Sequence, residues 1–291
     1  VRWPRAYWRS VTNSSPEHAI LDDFDSRPGS ATSLIRTVLG AYRGELGGWA
    51  AIAELVELMR ELGIAADATR IAVTRLKRRG VLVSAVRDGR AGYRLTAQAE
   101  AMYARGDRRI FGFRQMTDAD PWRLISFTIP ETLRATRHQL RRRLGWIGCG
   151  TVSPGLWIAP EYLAAEVTDI VAALGLSDCV TTFLATSAVV PDSMAEAAAR
   201  WWDLEGIAAR HREFLAHHAK SADARQLTPR EAFVEFVPLL DEWRIIPYVD
   251  PGLPPSMLPA DWPGVRSVGL FAAARDRCLT TSREWVRTLR Q

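Results

Sequence analysis

Apolar positions recur at helical spacing three times between residues 30 and 80. Ser33–Leu39 predicts a short helix, with Thr32 as N-cap and Gly40 near its end. Across Ala50–Leu62 the apolar Ile52, Leu55, Val56 and Met59 return every three or four residues, and Gly63 supplies the stop. A third helix is expected from Ala66 to Arg79, ending at Gly80. At about 100° per residue its Ala68, Ala72, Val73 and Leu76 share one arc, and Arg70, Ile71, Thr74, Arg75 and Arg78 share the opposite one. The first arc packs; the second faces outward.

The period then changes from helical to two. Val81, Val83 and Ala85 alternate, Asp88-Gly89 is a hairpin turn signal, and Gly92–Leu95 returns, with Arg87 and Arg90 flanking the tip. Three helices followed by a two-stranded ribbon predict a winged helix-turn-helix over residues 30–115. Such a fold lays its third helix in the major groove and its ribbon beside the adjacent backbone or minor groove. Arginine suits guanine or phosphate, threonine suits either, and Ile71 can meet a thymine methyl, so Arg70, Ile71, Thr74, Arg75, Arg78, Arg87 and Arg90 are the candidate DNA contacts.

Charge placement supports this assignment. Residues 30–150 hold 21 basic and 11 acidic side chains, whereas residues 151–291 hold 13 and 18. A polyanion-binding end and a ligand-binding or association end would be divided in this way. Lys77 and Lys220 are the only lysines, and a GC-rich genome would also favour Arg, although codon usage does not cluster it. The apolar and charged fractions are those of globular proteins, and no run near 18 apolar residues suggests a membrane span. Cys149, Cys179 and Cys278 are too far apart for a disulfide framework or paired zinc spacing, and read as reduced thiols in a cytoplasmic protein. Residues 1–29 are loop-like and are expected to form a tail.

Beyond residue 115, Trp122–Thr128 reads as a strand, Glu131–Leu144 as a helix, Gly148–Ile158 as one extended segment, Glu161–Leu174 as a helix and Val180–Val190 as a strand. This predicts a small α+β sandwich over residues 116–191. Residues 192–291 read as a helical C-terminal domain: Met194–Ala219, Pro229 to about Tyr248 with Pro238 bending or interrupting it, and a last helix toward Arg290.

Catalytic patterns fail. The glycines at 145, 148, 150 and 155 lie between a helix and a strand rather than in a dinucleotide loop, and no zinc-protease, nucleophile-elbow or P-loop motif occurs. His211, Glu213, His217 and His218 lie on one helical stretch that is best read as a solvated face. No enzyme activity, cofactor or metal is expected. Arg134, Arg137 and Arg141, within a run that continues through Arg142 and Arg143, could hold the phosphates of a ligand, contact the DNA backbone, or be a solvated face.

Several of these residues also carry a family resemblance. Ser33-Leu34-Ile35, Gly47-Gly48-Trp49, Arg70 with Thr74-Arg75-Leu76 and Gly80, Tyr93-Arg94-Leu95-Thr96 and Arg108-Arg109-Ile110-Phe111-Gly112 are similar to the N-terminal pattern of the PaaX-type repressors of aromatic catabolism. Pro130-Glu131 with Arg134 and Arg137, Ser153–Ile158, Asp250–Pro254 and Leu258–Gly264 continue the resemblance in order along the chain. It implies a ferredoxin-like, Cas2-like middle domain and an acyl-CoA effector such as phenylacetyl-CoA. The expected protein is a homodimeric repressor of double-stranded operator DNA, released by that effector. The alternatives are an adaptor whose winged helix contacts protein, and a metal-dependent nuclease. A nuclease of this fold needs an Asp at the end of the first strand, which Phe127-Thr128-Ile129-Pro130 lacks.

Overall fold

The computed structural model describes residues 27–222 and 226–289. The expected tail, residues 1–29, therefore lies outside the described residues except for Arg27–Gly29. In chain order the elements are α1 (Ala31–Ala41), β1 (Trp49–Ala51), α2 (Ile52–Glu61), α3 (Ala66–Arg78), β2 (Leu82–Arg87), β3 (Arg90–Leu95) and α4 (Ala97–Ile110). They continue with β4 (Trp122–Phe127), α5 (Arg134–Trp146), β5 (Gly150–Ser153), β6 (Leu156–Pro160), α6 (Ala164–Ala173) and β7 (Val180–Ala185). The last helices are α7 (Met194–Trp201), α8 (Leu204–His217), α9 (Pro229–Trp243) and α10 (Gly264–Thr288).

Two compact units form. One combines the described part of Val1–Asp107 with Ala224–Asp241 and Ala274–Gln291; the other combines Arg108–Asp223 with Glu242–Ala273. Residues 192–291, expected as one helical domain, contribute helices to both.

In the first unit, α1, α2 and α3 are followed by the β2–β3 ribbon, the element order expected of a winged helix-turn-helix, and β1, between α1 and α2, joins the ribbon in a sheet of order β1-β3-β2. The hairpin pairs Leu82 with Leu95 through to Arg87 with Arg90. Asp88 and Gly89 both take positive φ (52° and 74°), as a two-residue type I′ turn requires. Ala50 and Ala51, which the periodicity assigned to the second helix, instead join Trp49 in pairing along β3. Helix α2 starts one residue later, where Glu54 accepts the amide of Ala51 at 3.1 Å.

Helix α1 departs furthest from its sequence reading. Ser30, not Thr32, is its N-cap: the Ser30 hydroxyl accepts from the amide of Ser33, and Thr32 is buried within the helix. Every residue from Thr32 to Leu39 is buried, whereas an amphipathic surface helix would leave a polar face in water. Its second cover comes from the C-terminal part of the chain. Asp241 of α9 accepts from the Ser33 hydroxyl (2.7 Å), the Thr37 hydroxyl (2.6 Å) and the Gly29 amide (2.8 Å). Phe233 and Val237 of α9 and Val286 of α10 enter the same core as Leu34, Ile35, Val38 and Leu76. Tyr42 donates to Ser282 at 2.9 Å, and burial pushes its phenol well above the usual range.

The second unit is built on a fully antiparallel sheet of order β5-β6-β4-β7. The expected single extended segment, 148–158, is a hairpin that turns at Pro154-Gly155, which completes a β-α-β-β-α-β order. Ile125, Phe127, Trp157 and Ala159 pack with Leu140 and Leu144 of α5 and Val167 and Ile170 of α6. A second cluster gathers Trp122 and Ile158 with Met116, Ala198, Trp202, Leu253 and Met257.

The expected helix 194–219 is two helices. Asp203 caps the second by accepting the Gly206 amide at 3.0 Å, and the Trp202 indole donates to the Gly148 carbonyl at 2.8 Å. Conversely, α9 runs uninterrupted through Pro238. A mid-helix proline costs about 3 kcal/mol. Burial of Phe233, Phe236, Val237, Leu239 and Leu240 around it offsets this, at about 1.5–3 kcal/mol for each side chain.

All three cysteines are free; Cys149 and Cys278 are buried and Cys179 is partly exposed. Burial raises the thiol pKa of Cys149 well above its ordinary value, which suppresses the reactive thiolate. Titration of the folded protein with an aromatic disulfide reagent should therefore modify Cys179 rapidly and the other two only after denaturation. Prompt reaction of two or three thiols would contradict this packing.

Candidate nucleic-acid interface

Helix α3 starts without side-chain help. Ala65 stands at its N-cap with no capping hydrogen bond, and Asp67, which could have compensated, instead accepts from Arg70 at 2.9 Å. The last turn closes through the amide of Val81 on the Leu76 carbonyl, with Gly80 at φ 70°. Thr69, Ala72, Val73 and Leu76 are buried. Arg70, Ile71, Thr74, Arg75 and Arg78 are all exposed, Ile71 to 55%. A free-standing Ile side chain on a polar helix face is suited to an apolar contact.

The cations on this face are not equivalent. Arg70 shares its charge with Asp67, and the Thr74 hydroxyl donates back to the Arg70 carbonyl at 2.9 Å, so it has lone pairs but no proton to offer. Arg75 and Arg78 have no carboxylate partner among the described residues.

The ribbon divides in the same way. Arg87 lies at the tip, 3.8 Å from the exposed carboxylate of Asp88. Arg90 is a brace as well as a tip residue: it donates at 3.0 Å to Glu54, whose side chain is only 5% exposed, and its guanidinium sits 6.0 Å from the centre of the Trp49 ring. The Trp49 indole donates to the Ala85 carbonyl at 3.2 Å and lies against Gly92, where a Cβ would come within 2.5 Å of both the ring and the Ala50 carbonyl. The base of the ribbon is thus stiff, and beyond it Val86 is 74% exposed. Trp49 and Glu54 were not recognised from sequence as part of the site, since their partners lie 36 positions away.

Arg134, Arg137 and Arg141 belong to α5 of the second unit. Arg134 (3.8 Å) and Arg137 (2.8 Å) converge on Glu131, and Arg137 also reaches the Ile129 carbonyl at 3.4 Å. The hydrogen bond and charge of Arg137 hold the Glu131 carboxyl below its ordinary range. Arg141 has no carboxylate partner among the described residues, and Arg143 is buried. The structure therefore brings two of these three arginines to one carboxylate and leaves the third available.

The histidine stretch corrects the sequence reading. His211 is fully buried, its Nε2 2.9 Å from Asp250 and its Nδ1 beside the Ser267 hydroxyl, which donates to the Gly264 carbonyl. The residue types are those of a Ser-His-Asp set, yet the two ring nitrogens are exchanged relative to a catalytic one, Ser267 and His211 are 0% exposed and Asp250 is 3% exposed. These residues join α8, α10 and the proline-rich segment between α9 and α10. His217 and His218 both pair with Glu242. Among the described residues no group of three or more His, Cys, Asp or Glu side chains could hold a metal, and no helix is long and apolar enough to cross a membrane.

Comparison with known proteins finds one family along most of the chain. Residues 30–99 match the family model described as PaaX-like protein, residues 116–198 the PaaX protein central Cas2-like domain, and residues 202–288 the PaaX-like protein C-terminal domain. The Transcriptional repressor PaaX of Escherichia coli (strain K12) is 28% identical over 260 residues, which cover 85% of this chain and 79% of that protein. Among solved structures, the Uncharacterized protein Rv0674 from Mycobacterium tuberculosis superposes with a TM-score of 0.55 at 26% identity, covering 86% of this chain and 97% of that one.

Proposed function

Because this chain belongs to the PaaX family, with that family's domains following one another from residue 30 to residue 288, we propose that it is a sequence-specific DNA-binding transcriptional repressor. It acts in the cytoplasm as a homodimer and leaves its operator when it binds an acyl-CoA thioester. The observation that carries the reading is the outward face of α3, where Arg75 and Arg78 stand exposed without a carboxylate beside Ile71 and Thr74. Desolvating an unpaired guanidinium against a phosphate or a guanine edge breaks no existing ion pair. The name of the E. coli relative points the same way.

The stiff ribbon offers Arg87, and in part Arg90, to the backbone or minor groove beside the helix. Arg134, Arg137 and Arg141 are proposed as cations for the phosphates of the effector, with Arg141 the most available. Release requires the effector to favour a conformation that does not fit the operator, since equal affinity for both conformations shifts nothing.

Titrating the protein onto its own upstream DNA at several salt concentrations tests the reading. If each protomer neutralises about four phosphates, log K should fall against log salt with a slope near −7. A slope flatter than about −2, or equal affinity for random DNA, would overturn it. Aryl-CoA thioesters added at fixed salt should release the DNA and free CoA should do so less, with Arg141→Ala weakening the response.

A further inference from the structure

The two faces of the β2–β3 ribbon end differently. Alternate residues share a face, so Leu82, Ser84 and Val86 lie on one side with their partners Leu95, Tyr93 and Ala91. Val83, Ala85 and Arg87 lie on the other with Arg94, Gly92 and Arg90. This second face is closed: the Trp49 ring lies against Gly92, and Arg90 sits over that ring. The first face begins in the core, where Leu82 and Leu95 pack in one cluster with Ala72, Val73 and Leu76 of α3. Lys77 of α3 stands 5.7 Å from the centre of the Tyr93 ring, so this is the face on the α3 side. Beyond Tyr93 it emerges into solvent with Val86, 74% exposed, opposite an exposed Ala91.

At that exposure Val86 gives little to the core. A ribbon tip that met only phosphates would gain from a cation or a hydroxyl here rather than from two methyl groups. The charges around it suit a polyanion: between Leu82 and Leu95, Arg87, Arg90 and Arg94 stand against the single carboxylate of Asp88. An apolar side chain set among cations matches the minor groove, whose walls are phosphates and whose floor is base edges and sugar carbons.

We infer that Val86 is a specificity-determining residue: the ribbon tip enters the minor groove beside the site of α3, and its valine selects A·T over G·C there. The inference rests on the DNA-binding reading above and adds to it the groove and the base pairs that the ribbon selects. On the minor-groove floor an A·T pair shows only acceptors, whereas G·C projects the guanine 2-amino group. That group stands where the methyl groups of Val86 would lie. Once covered by them, it loses its water and gains no acceptor. Arg87 and Arg90 are placed to meet the phosphates of the walls.

Equilibrium binding of the full-length chain to its own upstream DNA tests the inference. Hydroxyl-radical footprinting first locates the minor-groove stretch that the ribbon protects. Its base pairs are then made A·T, G·C or I·C in synthetic duplexes, inosine being guanine without the 2-amino group. G·C should bind about fivefold or more weakly than A·T, and I·C should bind like A·T. Val86→Thr keeps the branched shape and the strand preference of valine but offers an acceptor, so it should bring A·T and G·C to nearly equal affinity, with the circular dichroism melt unchanged. Equal affinity of the parent for A·T and G·C, or I·C as weak as G·C, would overturn the inference. So would a preference that survives Val86→Thr, because it would belong to groove width sensed by Arg87 and not to the valine. The DNA reading is judged separately. A parent with no salt-sensitive preference for its operator sinks both, whereas one that keeps its steep salt slope and ignores these base pairs sinks only the role of Val86.

Discussion

Replacing Asp241 by alanine should cost about 2–5 kcal/mol of folding stability, the largest single effect expected away from the hydrophobic core. The carboxylate is 0% exposed and accepts from Ser33, Thr37 and Gly29. Its removal leaves three donors without that acceptor in a space closed to water, at about 1–3 kcal/mol for each donor left unpaired. Two effects reduce the sum: both hydroxyls sit on a helix and can rotate toward carbonyls of the preceding turn, and alanine escapes the desolvation cost of the charge. Asn, which keeps one acceptor oxygen, should lose less than Ala. Urea denaturation of Asp241→Ala and Asp241→Asn against the parent provides the measurement. A loss below about 1 kcal/mol for Ala would show that Asp241 does not hold α1 in place.

Arg75→Ala should lower operator affinity by about 1–3 kcal/mol per half-site, roughly 5- to 150-fold, and relax base preference at the position it reads. Arg70→Ala should cost less, although the two residues look alike on a helical wheel. Arg70 already donates to Asp67, and breaking that exposed pair consumes part of what an interaction with DNA returns. Asp67→Ala should accordingly strengthen binding, by freeing Arg70 and removing a negative charge from the approaching face. Fluorescence anisotropy at fixed salt on operator and random duplexes separates the cases. If Arg75 reads a guanine, its removal narrows the difference between the two duplexes; if it meets a phosphate, its removal weakens both alike and flattens the salt slope by about 1. If Arg75→Ala and Arg70→Ala bind both duplexes like the parent, the reading face has been misassigned.

Local patterns account for what was legible beforehand. The buried arc of α3, its arginine-bearing reverse and the Asp88-Gly89 turn each depend on residues within about four positions of one another, the range over which helical and hairpin geometry act. The β-α-β-β-α-β unit was legible except at residues 148–158, where the apolar pattern of two strands runs on and only the tight turn at Pro154-Gly155 separates them. Helix 194–219 misled for the opposite reason. Its periodicity continues across a break that Asp203 imposes by capping a new helix.

The distant pairings escaped because no local signal encodes them. Ser33 and Thr37 look like ordinary helix positions until Asp241, more than 200 residues later, arrives to accept from both. Arg90 looks like a free ribbon tip until Glu54 and Trp49 hold it, and His211 looks like a surface residue until Asp250 and Ser267 enclose it. The amino-acid order by itself determined which faces of the helices and ribbon are apolar and where the positive charge collects, because periodicity and turn chemistry are properties of short segments. Only the tertiary structure decided that α9 and α10 complete the core around α1, and which arginines remain unpaired. Both depend on burying polar groups against partners that the chain brings together only when it has folded.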